Sequence, residues 1–361
     1  MDSFRTLNPI DSRRGVHIIR EGNTYIDFSS NDYLGLSQDP RLIQAAVTAC
    51  EQQGTGSTGS RLLSGDSTQI HELEKNIANF KQKPAALLFN SGLQMNTGLF
   101  STLYGPKDLI LLDKYAHASL IDGVRASGAQ WHRFRHNDTQ HLVQLLDKYR
   151  SLFNRCAIIT ESVFSMDGDS APIHEIADIK THYECEFWVD DAHSTGVFGA
   201  TGSGLIEEWG LADKVDGILG TFGKALASFG AYCACSPEIK DFLISRCRHF
   251  IYTTALPPAV IATNLKSLDL VQDATDKRKH LADLIQLANG ESHIIPVIVG
   301  KISDTHTLAQ KVQSSGYWVS TIKAPTVPKN QARLRLSLTS DHTKKELTSL
   351  LSLLNTANVV N

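Results

Sequence analysis

The sequence predicts an α/β protein in which a large domain with a mainly parallel sheet precedes a smaller α+β domain. Short runs of apolar residues alternate along the chain with amphipathic helical patterns. Most of these runs are apolar along their whole length, which is typical of strands that helices cover on both faces. Repeated strand–helix units of this kind define an α/β domain.

The individual elements follow from these two patterns in chain order. Strands are predicted where apolar residues run together, at 85–89, 108–112, 156–160, 186–190, 217–221 and 230–235. Helices are predicted where apolar residues recur every three or four positions, at 68–80, 94–103, 117–127, 139–149, 173–183 and 237–249.

The pattern changes after about residue 267. Beyond it we predict further elements at 276–287 (helix), 294–299 (strand), 303–315 (helix), 332–339 (strand) and from 341 (helix). The sequence therefore predicts three parts, an N-terminal segment (1–30), a large domain (31–267) and a C-terminal small domain (268–361).

Composition and charge exclude several classes of protein. The chain has 361 residues, 42% of them hydrophobic, with a formal net charge of −3, so it can bury a large core and has no general attraction for nucleic acid. Its apolar runs are far shorter than the ~20 residues that span a bilayer. The six cysteines are scattered, and Cys233 and Cys235 fit neither a zinc site nor a redox C-x-x-C. These features predict a cytoplasmic protein with reduced thiols, without a nucleic-acid or membrane partner.

A glycine pattern points away from a dinucleotide site. Gly54, Gly56 and Gly59 spell G-x-G-x-x-G, but that motif must leave a strand, and here a predicted helix (42–53) precedes it. An oxidoreductase of the nicotinamide type is therefore disfavoured. The segment is either a flexible loop or a loop that approaches a ligand or a partner chain closely.

Three segments directly after predicted strands carry candidate chemistry. Ser91-Gly92 stands between a strand and a helix, where backbone N–H groups bind anions, although such turns also serve packing. Asp190 ends the predicted strand 186–190 and His193 follows it, at the position where open α/β sheets bind ligands. A helix cap or salt bridge for Asp190, and a surface position for His193, remain the alternatives.

Lys224 follows the strand 217–221 in a setting of small residues. Such a setting favours the uncharged amine, which can attack a carbonyl, although most lysines are exposed surface residues. Arg333 and Arg335 alternate with leucines and face one side of a predicted strand. They form either a solvated sheet face or a guanidinium site for a carboxylate.

The remaining histidines are less informative. His117 opens a predicted helix. His132 and His136 are four residues apart, but they show no acid–histidine pairing, so no metal site is predicted.

Together these residues match the needs of one cofactor, pyridoxal phosphate. It takes a lysine, an acid against its ring nitrogen, a phosphate cradle and an arginine for the carboxylate of an amino acid. At this level the chain resembles the α-oxoamine synthases, a family of fold-type-I enzymes. The resemblance is carried by the stretches 28–36 (FSSNDYLGL), 58–65 (TGSRLLSG), 117–119 (HAS), 163–169 (VFSMDGD), 189–196 (VDDAHSTG), 221–224 (TFGK), 325–328 (PTVP) and 332–335 (ARLR).

The resemblance is greatest to the branch of biotin biosynthesis. It implies a homodimeric acyltransferase that condenses L-alanine with a pimeloyl thioester, carried on coenzyme A or acyl carrier protein, with loss of CO₂ to give 8-amino-7-oxononanoate. The main alternative is the sister enzyme that makes 2-amino-3-oxobutyrate, or another α-oxoamine synthase. A non-catalytic relative that serves as a scaffold is disfavoured by the presence of Lys224, Asp190, His193 and Arg335.

The resemblance also implies roles around the cofactor ring. Lys224 would bind the cofactor covalently and move the α-proton, and Asp190 would keep the ring nitrogen protonated. His117 would stack on the ring face. His193 and Ser165 would bind near the ring hydroxyl.

For the phosphate, the resemblance implies backbone N–H groups of Gly92 and Leu93, with Thr221 beside them. The partner subunit's Thr253 or Thr254 would reach the same phosphate.

Three further residues are implied on the substrate side. Arg335 would hold the carboxylate of the amino acid, and Arg5 and Thr326 would lie near the acyl chain. One departure concerns Ala227, where the family often has glycine.

Overall fold

The computed structural model describes residues 7–355, so that Arg5 lies outside the described residues. The chain divides into two compact units. The large unit comprises residues 39–165 and 169–278, and the small unit comprises the residues up to 38, 166–168 and those from 279 onward. The boundaries predicted after residues 30 and 267 stay a prediction.

The elements run along the chain as follows. The N-terminal strands of the small unit are β1 (Ser12–Arg14), β2 (His17–Arg20) and β3 (Asn23–Asp27). The strands of the large unit are β4 (Ala85–Phe89), β5 (Leu109–Asp113), β6 (Gln130–Phe134), β7 (Cys156–Glu161), β8 (Glu186–Asp190), β9 (Gly217–Thr221) and β10 (Ala231–Cys235).

Helices precede, separate and follow the strands of the large unit. They are α1 (Pro40–Gln53), α2 (Thr68–Phe80), α3 (Gly92–Leu103), α4 (Ala118–Ser127), α5 (Thr139–Tyr149), α6 (Ile173–His182), α7 (Leu205–Glu208), α8 (Pro237–Arg246), α9 (Arg248–Ile251) and α10 (Pro258–Asp273). The next helix, α11 (Thr275–Leu287), leads into the small unit, whose later elements are β11 (Ile294–Gly300), α12 (Ile302–Ser314), β12 (Tyr317–Trp318), β13 (Ser320–Ile322), β14 (Ala332–Ser337) and α13 (Lys344–Asn355).

The large unit contains a seven-stranded sheet with the order β4-β10-β9-β8-β7-β5-β6. β10 is antiparallel to β4 and to β9, and the pairs β9–β8, β8–β7, β7–β5 and β5–β6 are parallel. All strands except β10 therefore run in the same direction, and their carboxyl ends meet at one edge. The prediction of a mainly parallel sheet between helices is confirmed.

Burial explains why these strands could be recognised. Every residue of β5, β7 and β10 is buried, and β4 and β9 are buried over four of their five residues. The side chains of both faces form the core, so no polar alternation remains in the sequence.

Helix ends differ from the prediction where a side chain caps the backbone. α3 begins at Gly92, because the hydroxyl of Ser91 accepts a hydrogen bond from the N–H of Gln94 at 3.2 Å. The helix predicted at 237–249 is two helices, because Cys247 adopts an extended conformation between them. Helix α10 was missed.

The small unit contains two sheets, β1-β2-β3-β12 and β11-β14-β13. All six residues of β14 are buried, so the alternative of a solvated face for Arg333 and Arg335 is wrong. Arg333 pairs with Asp167, with Nη1 and Oδ1 2.6 Å apart. Among residues 7–355, no helix has the length and apolar character that crossing a membrane requires.

Candidate active site

The predicted site residues of the large unit follow the carboxyl ends of neighbouring strands. Within the sheet, Glu161 at the end of β7 pairs in register with Asp190 at the end of β8, and Asp190 pairs with Leu219 of β9. The segments that carry His117, Ser165, His193 and Lys224 therefore leave the same edge of the sheet. This is the edge at which open α/β sheets bind ligands.

The turn that carries Lys224 is fixed by its own hydrogen bonds. Thr221 Oγ1 donates to the carbonyl of Gly230 at 2.9 Å and accepts the N–H of Gly223 at 3.2 Å. Ala227 donates its N–H to the carbonyl of Lys224 and adopts φ +52°. This left-handed conformation favours glycine, which gives a physical reason for the glycine that the family resemblance leads us to expect at position 227.

Asp190 is half-buried, and both of its carboxylate oxygens are engaged. Oδ1 accepts the N–H of Ala192 at 3.1 Å, and Oδ2 accepts Nδ2 of Asn96 at 3.2 Å. Asn96 Nδ2 also donates to the hydroxyl of Ser119 at 2.9 Å. That hydroxyl lies 2.7 Å from Nδ1 of His117. A continuous chain of hydrogen bonds therefore joins Asp190 to His117.

Electrostatic interactions place Lys224 in the same neighbourhood. Burial lowers the pKa of His117, Asp190 opposes this effect, and the charge of Lys224 lowers that pKa further. Burial also raises the pKa of the Glu161 carboxyl well above its ordinary value, Asp190 raises it further, and Lys224 acts in the opposite direction. Lys224 and Asp190 thus act on both the imidazole of His117 and the carboxyl of Glu161 at the sheet edge.

Glu161 was not predicted as a site residue. Its side chain is 2% exposed, and Oε1 accepts the backbone N–H of His117 at 2.6 Å. This bond fixes the residue that caps α4. Because burial and the nearby Asp190 both raise the pKa of Glu161, the neutral form of this acid is favoured.

A buried ion pair supports the turn after β8. Lys81 Nζ donates to Asp191 Oδ2 at 2.8 Å and to Thr195 Oγ1 at 2.7 Å. The side chains of Lys81 and Asp191 are 1% and 0% exposed. Burial alone lowers the pKa of Lys81, but Asp191 outweighs it and holds that pKa above its ordinary value. The residue that follows Asp190 is therefore anchored by a charge from the end of α2, and His193 in the same turn is 6% exposed.

The beginning of α3, where the anion site was predicted, is open. A Cβ placed on Gly92 would meet no atom within 4 Å, and Leu93 is 60% exposed. The first N–H groups of a helix have no partner within it, so they are available to an anion here. Thr253 and Thr254 lie next to this turn, since Asn90 Nδ2 donates to Thr253 Oγ1 at 3.1 Å and to the carbonyl of Thr254 at 2.7 Å.

Two predicted substrate residues belong to the small unit. Arg335 is 6% exposed, and its Nη1 donates to Ser337 Oγ at 2.6 Å and to Asn31 Oδ1 at 3.4 Å. Arg335 also interacts with the hydroxyl of Tyr33, whose pKa burial raises to about 12. Thr326 is exposed and lines a cavity of about 700 Å³.

Comparisons with known proteins identify the family. Residues 23–354 match the family described as Aminotransferase class I and II. An 8-amino-7-oxononanoate synthase of Geotalea daltonii is 42% identical, covering 95% of this chain and 91% of that protein.

Two solved structures have the same fold. The 8-amino-7-oxononanoate synthase of Francisella tularensis matches with a TM-score of 0.80 at 31% identity, over 92% of this chain and 97% of that one. A serine palmitoyltransferase variant from S. paucimobilis with bound PLP and myriocin matches with a TM-score of 0.90 at 28% identity, over 97% and 92%. The predicted resemblance is confirmed. This chain therefore belongs to the aminotransferase class I and II family and, within it, to the 8-amino-7-oxononanoate synthases.

Proposed function

We propose that this chain uses pyridoxal phosphate to condense L-alanine with a pimeloyl thioester, releasing CO₂ and the free thiol of the acyl carrier and giving 8-amino-7-oxononanoate for biotin biosynthesis. The observation that carries the proposal is the interaction of Lys224, Asp190 and His117 at the carboxyl edge of the sheet. The names of relatives at about 40% identity over most of the chain support the same reaction.

The residues at this edge fit the cofactor group by group. The open space at Gly92, at the start of α3, suits a phosphate. Leu93 follows Gly92 in α3, and Thr221 ends β9 at the same edge of the sheet. Asp190, with both oxygens oriented by hydrogen bonds, would accept the N–H of the ring nitrogen. Lys224 would supply the amine that binds the aldehyde carbon.

Three further side chains would surround the ring. His117 would lie against the ring face. Glu161 holds its backbone N–H and the hydroxyl of Ser119 holds its Nδ1, so the imidazole is kept in one orientation. His193 and Ser165, from the segments after β8 and β7, would bind near the ring hydroxyl. The partner subunit's Thr254 would complete the phosphate site.

When bound, pyridoxal phosphate supplies an aldehyde for the substrate amine and a cationic ring that withdraws electrons from the α-carbon. Asp190 would keep that ring cationic, since a carboxylate stabilises a proton on a neighbouring nitrogen. Lys224, once released by the incoming amine, would hold and return the proton of the alanine α-carbon at Nζ. His117 would exclude water from the ring face.

Residues of the small unit would bind the substrates. Arg335 would hold the alanine carboxylate through its guanidinium group, which suits two parallel hydrogen bonds. Thr326, and Arg5 outside the described residues, would lie near the acyl chain.

We also propose that the chain works as a homodimer with a shared active site. Leu62, Leu63, Leu93 and Tyr252 are 51%, 84%, 60% and 71% exposed. The loop of Leu62 and Leu63 is attached near Tyr252, since Ala255 donates its N–H to the carbonyl of Gly59 at 2.9 Å. Exposed apolar side chains in one region are typical of a surface that a partner covers. Light scattering of the purified protein should give twice the mass of the chain.

A cytoplasmic location is part of the same proposal. All six cysteines are free thiols, five of them buried, which suits a reducing compartment.

The decisive experiment tests Lys224 directly. Borohydride treatment of the yellow holoenzyme should bleach it and attach a pyridoxyl group to the peptide that contains Lys224, as shown by mass spectrometry. Lys224→Ala should lose turnover by about a thousandfold or more, because the amine that moves the proton is gone. Lys214→Ala, a change at an exposed lysine of the large unit, is the matched control and should stay active.

Substrate choice is tested with the wild-type protein. Product formation from L-alanine and pimeloyl-CoA or pimeloyl acyl carrier protein should exceed that from glycine and acetyl-CoA. Modification of another lysine, or preferential production of 2-amino-3-oxobutyrate, would overturn the proposal.

A further inference from the structure

His136, two residues after the edge strand β6, lies between two carboxylates. Its Nδ1 is 2.9 Å from Asp113 Oδ1, and its Nε2 is 2.7 Å from Asp169 Oδ2. Asp113 is fully buried, and the side chains of His136 and Asp169 are 18% and 26% exposed. A ring with both nitrogens facing carboxylates donates from both, so it is the imidazolium form that fits this site.

Each carboxylate also holds a backbone segment. Asp113 Oδ1 accepts the N–H of Tyr115 at 2.7 Å, which shapes the turn that leads to His117. Asp169 belongs to the chain segment that pairs with residues 163 and 164, since Phe164 donates its N–H to the carbonyl of Asp169 at 3.0 Å. Ser165 follows directly. The ring of His136 therefore connects the segment of His117 with the segment of Ser165.

Aromatic contacts and Asn137 hold the same arrangement. Tyr115 stacks on His136 with ring centroids 4.4 Å apart, and Phe164 meets the ring edge-on at 4.4 Å. Asn137 donates its N–H to Asp113 Oδ2 at 3.0 Å and its Nδ2 to Asp169 Oδ2 at 2.8 Å. Within residues 7–355, the charged groups in contact with the ring are Asp113 and Asp169. Arg135 next to it pairs instead with Asp138 at 2.7 Å.

We propose that His136 is a positioning residue for the reaction, a permanent cation that sets the spacing between the His117 and Ser165 segments on either side of the cofactor ring. This inference rests on the proposed function, because it assumes that these two segments hold pyridoxal phosphate. Both ring nitrogens of His136 are bound to aspartates, so they would not be available to the cofactor.

The first test separates binding of the cofactor from binding of the substrate. His136→Phe keeps an aromatic ring beside Tyr115 but removes both donors. It should weaken pyridoxal phosphate binding by about tenfold or more, because two charge-assisted hydrogen bonds are lost. At saturating cofactor, kcat should fall while the KM for alanine stays within about twofold, because alanine is bound by other residues.

The matched control is His132, in the strand β6 that precedes His136. His132 also stacks on a tyrosine, Tyr149, at 4.2 Å, but no carboxylate contacts it in the part of the chain that the structure describes. His132→Phe should bind the cofactor and turn over as the wild type does. Unchanged cofactor affinity and kcat in His136→Phe would overturn the proposal.

A milder variant gives a signature that a structural role alone would not produce. Asp169 Oδ2 accepts from His136 and Asn137, whereas Oδ1 has no partner among the described residues. In Asp169→Asn the amide oxygen can take the place of Oδ2 and keep both hydrogen bonds, while one negative charge is removed. With one carboxylate left, His136 should lose its proton at lower pH. Relative to the wild type, cofactor affinity of Asp169→Asn should therefore decrease as pH rises from about 7 to 9. A pH profile that matches the wild type would contradict the proposal.

Nitrogen NMR tests the charge in the unaltered protein. In the holoenzyme labelled with ¹⁵N-histidine, the His136 signals, assigned by their loss in His136→Gln, should show both nitrogens protonated at pH 8. A neutral ring would overturn the inference even if the variants fold poorly. If the wild type instead failed to bind pyridoxal phosphate, the proposed function would fail, and the same NMR measurement on the cofactor-free protein would still report the charge of His136.

Discussion

His136 in the large unit and His342 in the small unit are both largely removed from solvent, but their ring nitrogens meet different partners. His136 faces Asp113 and Asp169, and these carboxylates outweigh burial and raise its pKa to about 10. His342 accepts the N–H of Thr339 at Nδ1 (3.1 Å), and its Nε2 lies 3.0 Å from the carbonyl of Asp27. Burial lowers the pKa of His342 to about 4.

The difference shows that the hydrogen-bonding partners of the ring nitrogens, more than burial, decide the charge of a histidine. The N–H of Thr339 occupies the nitrogen that would have to take a second proton, so the neutral ring fits the small unit. The same ring stacks on Phe28 with centroids 3.9 Å apart. A neutral ring thus joins strand β3 to the segment before α13, whereas a cation joins the strand ends in the large unit.

The largest expected effect is the loss of His342. His342→Ala should lower the free energy of unfolding by about 3 kcal/mol or more, because it opens a cavity beside Phe28 and leaves the N–H of Thr339 and the carbonyl of Asp27 unpaired. Urea unfolding followed by circular dichroism measures this change. His306→Ala, at an exposed histidine of α12 in the same unit, should change the free energy by less than about 0.5 kcal/mol. Equal changes in the free energy of unfolding for the two variants would show that the contacts of His342 do not stabilise the small unit.

The pH dependence of stability should have opposite signs at the two histidines. The folded-state pKa of His136, about 10, lies above the ordinary value of 6.5, so its contribution is complete below pH 6.5 and is lost as pH rises toward 10. The folded-state pKa of His342, about 4, lies below 6.5, so the unfolded chain binds its proton first and stability is lost as pH falls from 6.5 toward 4.

Variants separate these two effects. Relative to the wild type, His136→Gln should remove a dependence of up to about 1.4 kcal/mol per pH unit on the alkaline side, and His342→Gln should remove one on the acid side. Urea unfolding at pH 5, 7 and 9 measures both. An alkaline change in the His342 variant, or an acid change in the His136 variant, would contradict the assignment of the two charges.

The contacts of His136 and His342 could not be predicted from the sequence, although several residues of the candidate active site could. Asp190 and Lys224 could be predicted because Asp190 ends a buried strand and Lys224 follows one, and such strands are recognisable as continuous apolar runs. Asn96, Glu161 and Lys81 were missed, because their roles depend on which strand ends lie side by side. The order β8-β7-β5-β6 brings Asp190, Glu161 and Asp113 into neighbouring positions, and spacing along the chain contains no record of that order.

The antiparallel direction of strand β10 could not be predicted, for a related reason. It is as apolar and as buried as its parallel neighbours, so composition could not reveal its direction. The acid–histidine pairing at His136 was absent from the sequence pattern because Asp113 and Asp169 are 23 and 33 residues away from it.

The smallest expected effect concerns the stacking contact between Tyr115 and His136. Tyr115 lies over a charged imidazole at 4.4 Å, so Tyr115→Leu should lose an interaction of about 0.5–1 kcal/mol between the cation and the tyrosine ring, in addition to the change in packing. A double-mutant cycle with His136→Gln isolates that part, because the cation is absent in the second background. If Tyr115→Leu costs the same free energy with and without His136, the contact is apolar packing only, and His136 resembles His342 more closely than its two carboxylates indicate.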